Sequence, residues 1–310
     1  MTFELTILGS SSAVPTSKRN LTAHVLNVHE RFFLIDCGEG TQLQLRRNKI
    51  RFGKIDHIFI SHLHGDHIFG LFGLISTFNL LERDKDLHIY AHPELENILN
   101  RHIEYFERTI SFKIVYHHLN TKINKVIYED EKLKVETIPL KHRVPTCGFK
   151  FTEQPYLRNL KKDMVEVYRI PISKIQGIRE GEDFINEEGE CVQNSKLTLP
   201  PYKVRSYAYC TDTAYSEKII PIIKDVDLLF HEATFGKNMK REAKSTQHST
   251  TEDAANIAKK ANAKKLVIGH FSARYKDVSL LLNEAKEVFE NTFSAEDGEK
   301  HTVELERINP

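Results

Sequence analysis

Short stretches in which apolar and polar residues alternate, or in which a few apolar residues run together, dominate the first sixty residues. Such stretches are typical of β-strands that bury one face or both faces. Glycine, serine and asparagine residues lie between them, as is typical of turns and loops. The pattern predicts strands at residues 3–8, 23–28, 31–35 and 57–60, with one helix at residues 41–48.

Predicted helices and strands continue to the end of the chain. The helices cover residues 68–81, 94–109, 253–261 and 278–291, and the strands cover 87–90, 133–138, 147–151, 206–210, 227–230, 265–268 and 302–305. Ser249 and Glu252 have the spacing of a capping box at the start of one helix. Both halves of the chain run from strands to a helix, so we predict an α/β fold in which two mixed sheets lie between helices.

Residues 153–203 differ in character from the rest of the chain. They contain long polar segments, several basic residues between Arg158 and Arg179, an acidic run from Glu180 to Glu190, and the pair Pro200-Pro201. We therefore expect one domain over residues 1–310 with an inserted arm at 153–203. Composition alone slightly favours a loosely packed lid that binds no partner.

Composition places the chain among ordinary globular proteins, with 310 residues of which 40% are hydrophobic and 28% charged. No apolar run reaches the length of a membrane span and the first residues do not resemble a secretory signal, so we expect a cytoplasmic protein without a membrane partner. The net charge of +1 gives no global attraction to nucleic acid, so a polyanionic partner would need a local basic patch. The four cysteines lie far apart and indicate neither a thiolate zinc site nor a disulfide framework.

The segment Ser61–His67 carries three histidines and an aspartate directly after a predicted strand. Imidazoles crowded in this way repel one another when protonated and are costly to bury without partners. A surface cluster would have to be solvated, and a buried one needs a cation. Gly65 provides a turn, so we favour a metal-binding loop over a plain polar loop.

Three further metal-binding side chains come at or just after the ends of other predicted strands. Together the candidates are His62, His64, Asp66, His67, His142, Asp212 and His270. Seven donors exceed the four that one zinc ion takes, which indicates two ions sharing one carboxylate, with Asp212 as the bridge. So many imidazoles disfavour magnesium and place zinc ahead of manganese or iron.

The spacing His-x-His-x-Asp-His at residues 62–67 resembles the signature of the metallo-β-lactamase superfamily. This resemblance implies an αββα sandwich but no particular substrate, because many hydrolases share that fold. Other motifs, over a span from Leu8 to Tyr275, resemble the ribonuclease Z family of tRNA 3′-processing endonucleases. These motifs are Pro15-Thr16 with Arg19-Asn20, the segment Asp36–Gln42, His231-Glu232-Ala233-Thr234-Phe235, His248-Ser249-Thr250, and the segment His270–Tyr275.

The ribonuclease Z resemblance implies two Zn²⁺ per subunit and removal of 3′ trailers from precursor tRNA, leaving a 3′-hydroxyl on the tRNA and a 5′-phosphate on the trailer. One ion would be held by His62, His64 and His142, the other by Asp66, His67 and His270, with Asp212 shared. Asp66 would also orient or deprotonate the attacking water. His248 would act as the general acid, oriented by Glu232. Without the resemblance, an ordinary exposed histidine and a carboxylate at the edge of the core would be the preferred interpretations.

The same resemblance implies that the arm grips the tRNA elbow, often from the partner subunit of a homodimer. The arm of the family commonly carries a Gly-Pro pair at its tip, whereas here Ile170-Pro171 is followed by Ile172-Ser173. The alternative function is a dinuclear zinc hydrolase of the same fold that acts on small phosphodiesters or other esters. A non-catalytic RNA-binding relative would show decayed ligands, and all seven are present.

Overall fold

Two seven-stranded sheets form the centre of the computed structural model, which describes residues 1–107 and 109–308. The first contains β1 (Phe3–Gly9), β2 (Ala23–Val28), β3 (Arg31–Ile35), β4 (Ile55–Phe59), β5 (Leu87–Ala91), β6 (Ile114–His118) and β18 (Lys300–Thr302). The second contains β7 (Val126–Glu129), β8 (Leu133–Pro139), β9 (Cys147–Glu153), β14 (Ser206–Cys210), β15 (Leu228–Glu232), β16 (Lys265–Gly269) and β17 (Thr292–Ser294).

Nine helices occur in the described residues: α1 (Thr41–Arg47), α2 (Gly65–Leu80), α3 (Glu94–His102), α4 (Lys162–Val167), α5 (Ile172–Glu180), α6 (Asn194–Leu197), α7 (Lys240–Thr246), α8 (Thr251–Lys260) and α9 (Ser279–Lys286). Within residues 1–107 and 109–308, none of them has both the length and the apolar character needed to cross a membrane. Four further short strands form two small two-stranded sheets: β10 (Asn159–Leu160) pairs with β13 (Thr198–Leu199), and β11 (Phe184–Ile185) pairs with β12 (Cys191–Val192) as a hairpin.

The chain divides into two compact units, which we call the sandwich unit and the arm unit. The sandwich unit is Met1–Thr152 with Ser206–Val303, and the arm unit is Glu153–Arg205 with Glu304–Pro310, described as far as residue 308. Both sheets are mixed. Strands β3 to β6 run parallel, as do β14 to β17, whereas the pairs β18–β1, β1–β2, β2–β3, β7–β8 and β9–β14 are antiparallel.

Three hydrophobic layers stabilise the sandwich unit. Between the sheets, the ring of Phe59 meets Phe149 and Phe151 edge to face, with centroids 5.4 Å apart in each pair. A second core joins the first sheet to α1, α2 and α3, and a third joins the second sheet to α8 and α9. Burial of apolar surface on both faces of each sheet produces the predicted αββα order of layers.

The strand and helix predictions are largely confirmed, and the differences have local causes. The capping box was placed one residue early: Thr250 caps α8 with Asp253 as its reciprocal partner. Ser249 is unavailable because its hydroxyl donates to the Thr213 carbonyl at 2.6 Å. The last strand was placed two residues late, since pairing with β1 defines residues 300–302.

Two predicted helices are shorter than expected, and the prediction missed three strands of the large sheets, the four short strands β10 to β13 and the helices α4 to α7. The helix predicted at 94–109 ends at His102 and continues as a π-helical turn, Ile103–Glu107, while Arg108 lies outside the described residues. The last helix spans Ser279–Lys286. Strands β6, β7 and β17 are at sheet edges, where partial exposure removes the apolar pattern that sequence prediction requires.

The arm unit has a small core of its own. The core contains Ile170, Ile178, Phe184, Val192 and Leu197, contributed by α5 and α6, the β11–β12 hairpin and the segment between α4 and α5. At the two ends of the inserted segment, the buried Arg205 guanidinium donates from Nη2 to Glu153 Oε1 at 2.8 Å and from Nε to Oε2 at 2.9 Å. The inserted segment spans residues 153–205, against 153–203 predicted from composition.

Candidate metal centre

Loops at strand ends carry the seven predicted metal ligands. His62 and His64 follow β4, and Asp66 and His67 occupy the first turn of α2. The remaining three, His142, Asp212 and His270, follow β8, β14 and β16. The carboxyl ends of parallel strands lie at one edge of a sheet. In the second sheet, β14 and β16 both run parallel to β15, so the loops that follow them emerge at the same edge. The loop after β4 of the first sheet can reach the same site.

The first group of side chains surrounds one carboxylate oxygen of Asp212. His62, His64, His142 and Asp212 place their ligand atoms within 4.8 Å of one another. Asp212 Oδ2 lies 3.5 Å from His62 Nε2 and 3.7 Å from His142 Nε2. His62 Nε2 and His64 Nδ1 are 2.9 Å apart, so their lone pairs converge.

The second group surrounds the other oxygen of the same carboxylate. Asp66, His67 and His270 also place their ligand atoms within 4.8 Å of one another. Asp212 Oδ1 lies 3.2 Å from the Nε2 atoms of both His67 and His270. Asp66 Oδ2 lies 3.5 Å from the same two nitrogens. Asp212 therefore presents one oxygen to each group, as a bridging ligand would.

Hydrogen bonds at Nδ1 orient four of the imidazoles. Nδ1 of His142 donates to the Gln247 carbonyl at 3.1 Å, and Nδ1 of His67 lies 2.8 Å from an Asp36 oxygen. Nδ1 of His62 and of His270 lie 3.0 Å from the hydroxyls of Ser61 and Thr234. Such contacts at the outer nitrogen direct the Nε2 lone pair towards a metal.

Three of those Nε2 atoms, on His67, His142 and His270, are buried and have no hydrogen-bond partner among residues 1–107 and 109–308. A buried polar atom without a partner carries a large desolvation cost. A cation among these imidazole and carboxylate donors removes that cost, and this donor set is one that zinc accepts. The residues present therefore fit metal ions.

Electrostatics favour the ligating form of most of the seven donors, whereas the charges of Asp212, Asp66 and Asp36 outweigh the effect of burial and raise the pKa of His67 well above its ordinary value. Burial lowers the pKa values of His62, His64 and His142, so these imidazoles are neutral at pH 7. Burial alone would raise the pKa of Asp212, but the neighbouring His270 and His67 hold it well below its ordinary value. Metal ions bind neutral imidazole and ionised carboxylate, so both shifts favour coordination.

Asp36 contacts the predicted ligand His67, and the sequence analysis did not single it out. It is fully buried and accepts hydrogen bonds from Ser61 N at 2.7 Å, Ser61 Oγ at 2.8 Å and Tyr209 Oη at 2.6 Å, beside its contact with His67. It thus links the loop after β4 to β14 in the other sheet. Its place directly after a buried strand, in the segment Asp36–Gln42, was a signal that could have identified it.

Several residues at this site have backbone conformations that non-glycine residues rarely adopt. The φ angle is +56° at Asp36, +44° at Asp212 and +59° at His270. Left-handed φ values cost energy for residues with a Cβ and cluster at functional sites. Helix α2, which carries Asp66 and His67, also packs closely against the segment after β3. A Cβ on Gly70 would lie 2.0 Å from the Gly38 carbonyl oxygen, so this close approach requires glycine.

The predicted acid and its orienting residue form a pair next to the ligand groups. His248 Nδ1 donates to Glu232 Oε1 at 2.8 Å. The buried Glu232 carboxylate also accepts from Thr213 N at 2.8 Å and from Thr234 Oγ1 at 2.6 Å. Burial lowers the pKa of His248, but the Glu232 charge and hydrogen bond outweigh it and raise the pKa to about 9. The imidazole is therefore protonated at pH 7.

Asp66 receives a hydrogen bond from the loop between β1 and β2. The backbone N–H of Ala13 donates to Asp66 Oδ2 at 2.7 Å. The site opens into a cavity of about 560 Å³, which we call the site cavity and which is lined by Ala13, Asp66, Phe69, His142 and His248, among others. Substrate can therefore approach both ligand groups from one side.

Two groups of histidine and aspartate ligands in an αββα sandwich define a metal-dependent hydrolase of the metallo-β-lactamase fold. The fold is shared with the metallo-β-lactamase fold protein YhfI from Bacillus subtilis, at 19% identity and a TM-score of 0.67 over 98% of this chain and 100% of that one. The family model for anti-Pycsar protein Apyc1 matches residues 3–158.

Similarity over nearly the whole chain is more specific. Ribonuclease Z of Phocaeicola vulgatus is 47% identical over 308 residues, which are 99% of either chain. The crystal structure of the short form of human tRNase Z superposes with a TM-score of 0.71 at 26% identity, over 97% of this chain and 99% of that one. The chain belongs to the ribonuclease Z family.

Proposed function

We propose that this protein is a zinc-dependent endoribonuclease that cuts precursor tRNA at the 3′ side and releases the trailer. Membership of the ribonuclease Z family supports this function. The position of Asp212, with one oxygen in each of two ligand groups, is the structural observation that supports a two-metal hydrolysis. The expected products are a tRNA with a 3′-hydroxyl and a trailer with a 5′-phosphate.

The proposed cofactor is a pair of Zn²⁺ ions per subunit. His62, His64 and His142 would hold one ion, Asp66, His67 and His270 the other, and Asp212 both. When bound, two such ions supply an activated water and stabilise negative charge on the phosphate oxygens. The neutral imidazoles of the first group and the oriented Nε2 atoms support this assignment.

We assign three catalytic roles to residues around the site cavity. Asp66 orients the attacking water and accepts a proton from that water. The backbone N–H of Ala13 positions the Oδ2 atom of Asp66. His248 gives a proton to the departing 3′ oxygen, since its raised pKa keeps it protonated at neutral pH. Glu232 orients the His248 ring through Nδ1, which leaves Nε2 as the proton donor.

The inserted arm at 153–203 is proposed to bind the tRNA away from the cleavage point. Basic residues such as Arg158, Lys162 and Arg179 suit contacts with RNA phosphates, and the arm unit has its own hydrophobic core. The sequence at its centre, Ile170-Pro171-Ile172-Ser173, starts α5 and leaves Ile172 88% exposed. An exposed apolar side chain there can contact the unstacked bases or sugars of the RNA.

Two further proposals concern assembly and location. We propose a homodimer, since apolar side chains such as Tyr105, Phe106 and Leu80 are exposed on the sandwich unit and would be covered by a second subunit. Sedimentation equilibrium tests this, and a monomer at micromolar concentration would contradict it. The proposed substrate is newly made precursor tRNA. The cytoplasmic location, which is where such a substrate would be met, stays a prediction.

One experiment tests the proposed function. Purified protein is incubated with a precursor tRNA, with and without a chelator, and the new ends are mapped. Cleavage at the 3′ side that leaves a 3′-hydroxyl, is lost with chelator and is restored by zinc would support the proposal. Hydrolysis of a small phosphodiester without any cleavage of precursor tRNA would instead favour the alternative hydrolase.

A further inference from the structure

A second cavity meets the site cavity at His142. It has a volume of about 800 Å³ and lies between the segments 121–122, 139–146 and 215–222 of the sandwich unit. We call it the basic groove, because Lys122, Lys141, Arg143 and Lys218 line it. This volume is at the upper end of the range of ordinary ligand sites, so it accommodates more than one nucleotide.

The charge of the basic groove is of one sign. Among the residues that the structure describes, its lining includes four cationic side chains and no aspartate or glutamate. All four are exposed, and none forms an ion pair with the residues that the structure describes. In a protein with a net charge of only +1, this groove is a local basic patch of the kind that a polyanion requires.

The two cavities share His142 and Arg143, so a chain of nucleotides that crosses the metal centre can occupy both. The position of the proposed acid indicates which cavity holds the tRNA side of the RNA and which holds the trailer. His248 lines the site cavity and not the basic groove. Because His248 protonates the departing 3′ oxygen, the tRNA side of the cleaved bond lies in the site cavity. The strand on the phosphate side then leaves through the basic groove.

From this geometry we propose that the basic groove binds the single-stranded 3′ trailer through its phosphates, by means of Lys122, Lys141, Arg143 and Lys218. The inference rests on the proposed function and extends it by a subsite for the released product. Binding through phosphates is independent of base sequence, which suits trailers of different sequence. Contact with phosphates also makes binding dependent on salt, with a slope of about 0.7 per contact for single strands.

The test combines Lys122→Ala, Lys141→Ala and Lys218→Ala in one variant, which leaves Arg143 and the metal ligands intact. The matched control combines Lys54→Ala, Lys113→Ala and Lys286→Ala. These three lysines are likewise exposed, lie outside the basic groove, and form no ion pair with the described residues. Both variants lose the same net charge.

The first measurement is binding of a 5′-phosphorylated ten-nucleotide RNA, followed by fluorescence anisotropy over a range of salt concentrations. The groove variant should bind more than tenfold more weakly than the wild type, and its salt slope should fall by about 2, from three lost contacts. The control variant should bind the RNA as the wild type does. Equal binding by groove variant and wild type would overturn the proposal.

The second measurement compares precursor tRNAs with trailers of one and ten nucleotides. The groove variant should lose kcat/KM on the long trailer and keep it on the short one. Equal losses on both would overturn the proposal, because they would indicate general damage to the site. A wild-type protein that cuts neither precursor would overturn the proposed function. If the wild type cuts both precursors and the groove variant is unaffected on both, only the proposal for the basic groove would be overturned.

Discussion

Tyr209→Phe removes one hydrogen bond from the carboxylate that orients His67. Tyr209 is fully buried in β14, and its hydroxyl donates to Asp36 Oδ2 at 2.6 Å. The same oxygen lies 2.8 Å from Ser61 Oγ and from His67 Nδ1. Phenylalanine occupies the same space as the tyrosine ring, so the change deletes the donor without opening a large cavity.

Two magnitudes bound the effect of this change. A hydrogen bond to a charged group contributes about 1.5–3 kcal/mol. Loss of the residue that holds a metal ligand, which here is Asp36, typically weakens metal binding about 10- to 100-fold, or about 1.4–2.8 kcal/mol. This range is an upper bound for Tyr209, which contacts Asp36 and not the ligand. Asp36 keeps its bonds to Ser61 and His67, so we expect a loss near the lower end, about tenfold.

Zinc affinity, measured by competition with a coloured chelator, tests the expectation directly. Tyr207→Phe is the matched control, because Tyr207 is fully buried in the same strand and its hydroxyl lies 3.1 Å from His24 Nδ1 instead. A Tyr209→Phe protein whose zinc affinity stays within about threefold of the control would refute the role of Asp36 that we infer.

Other changes test the remaining assignments. Asp66→Ala should abolish cleavage of precursor tRNA while circular dichroism stays unchanged, and near-normal turnover would contradict its catalytic role. Glu232→Gln removes the charge that raises the pKa of His248 to about 9, so the pH at which NMR detects deprotonation of His248 should fall; an unchanged midpoint would show that another group is responsible. Deletion of residues 158–195 should weaken cleavage of precursor tRNA but spare a small phosphodiester, and equal loss on both would argue against a dedicated arm. Burial lowers the pKa of His24 to about 3, so the unfolded state alone is protonated at pH 5. Between pH 7 and pH 5, protonation of His24 in the unfolded state should therefore lower the unfolding free energy, measured in urea, by about 2 kcal/mol. The variant His24→Phe should lack this contribution. A variant whose unfolding free energy falls as much as that of the wild type would contradict the assigned role of His24.

Local sequence patterns were sufficient to predict those strands and helices whose bounds depend on residues close together in the sequence. Strands β2 and β3 have the bounds predicted from their apolar positions, because alternation along a strand reports directly which face is buried. The helix cap at Thr250 was predicted one residue early, since the choice between Ser249 and Thr250 depends on a carbonyl 36 residues away, that of Thr213. Edge strand β17 was missed because half-exposed positions carry little pattern.

The sequence by itself was enough to predict a metal-binding site. His62, His64, Asp66 and His67 lie within six residues, so one strand end and one helix turn are enough to bring them together. Spacing along the chain is local information, and a local motif can therefore be identified without a fold. The types of the donors likewise indicated zinc before any distance was known.

Only the tertiary structure decided how distant residues complete the site. Asp212 lies 150 positions from His62 in the sequence, and the packing of two sheets against each other brings its two oxygens between the ligand groups. The same packing places Tyr209 against Asp36 and leaves the Nε2 atom of His67 without a hydrogen-bond partner in the part of the chain that the structure describes. Contacts of this kind depend on how whole layers are stacked, and no short stretch of sequence specifies that arrangement.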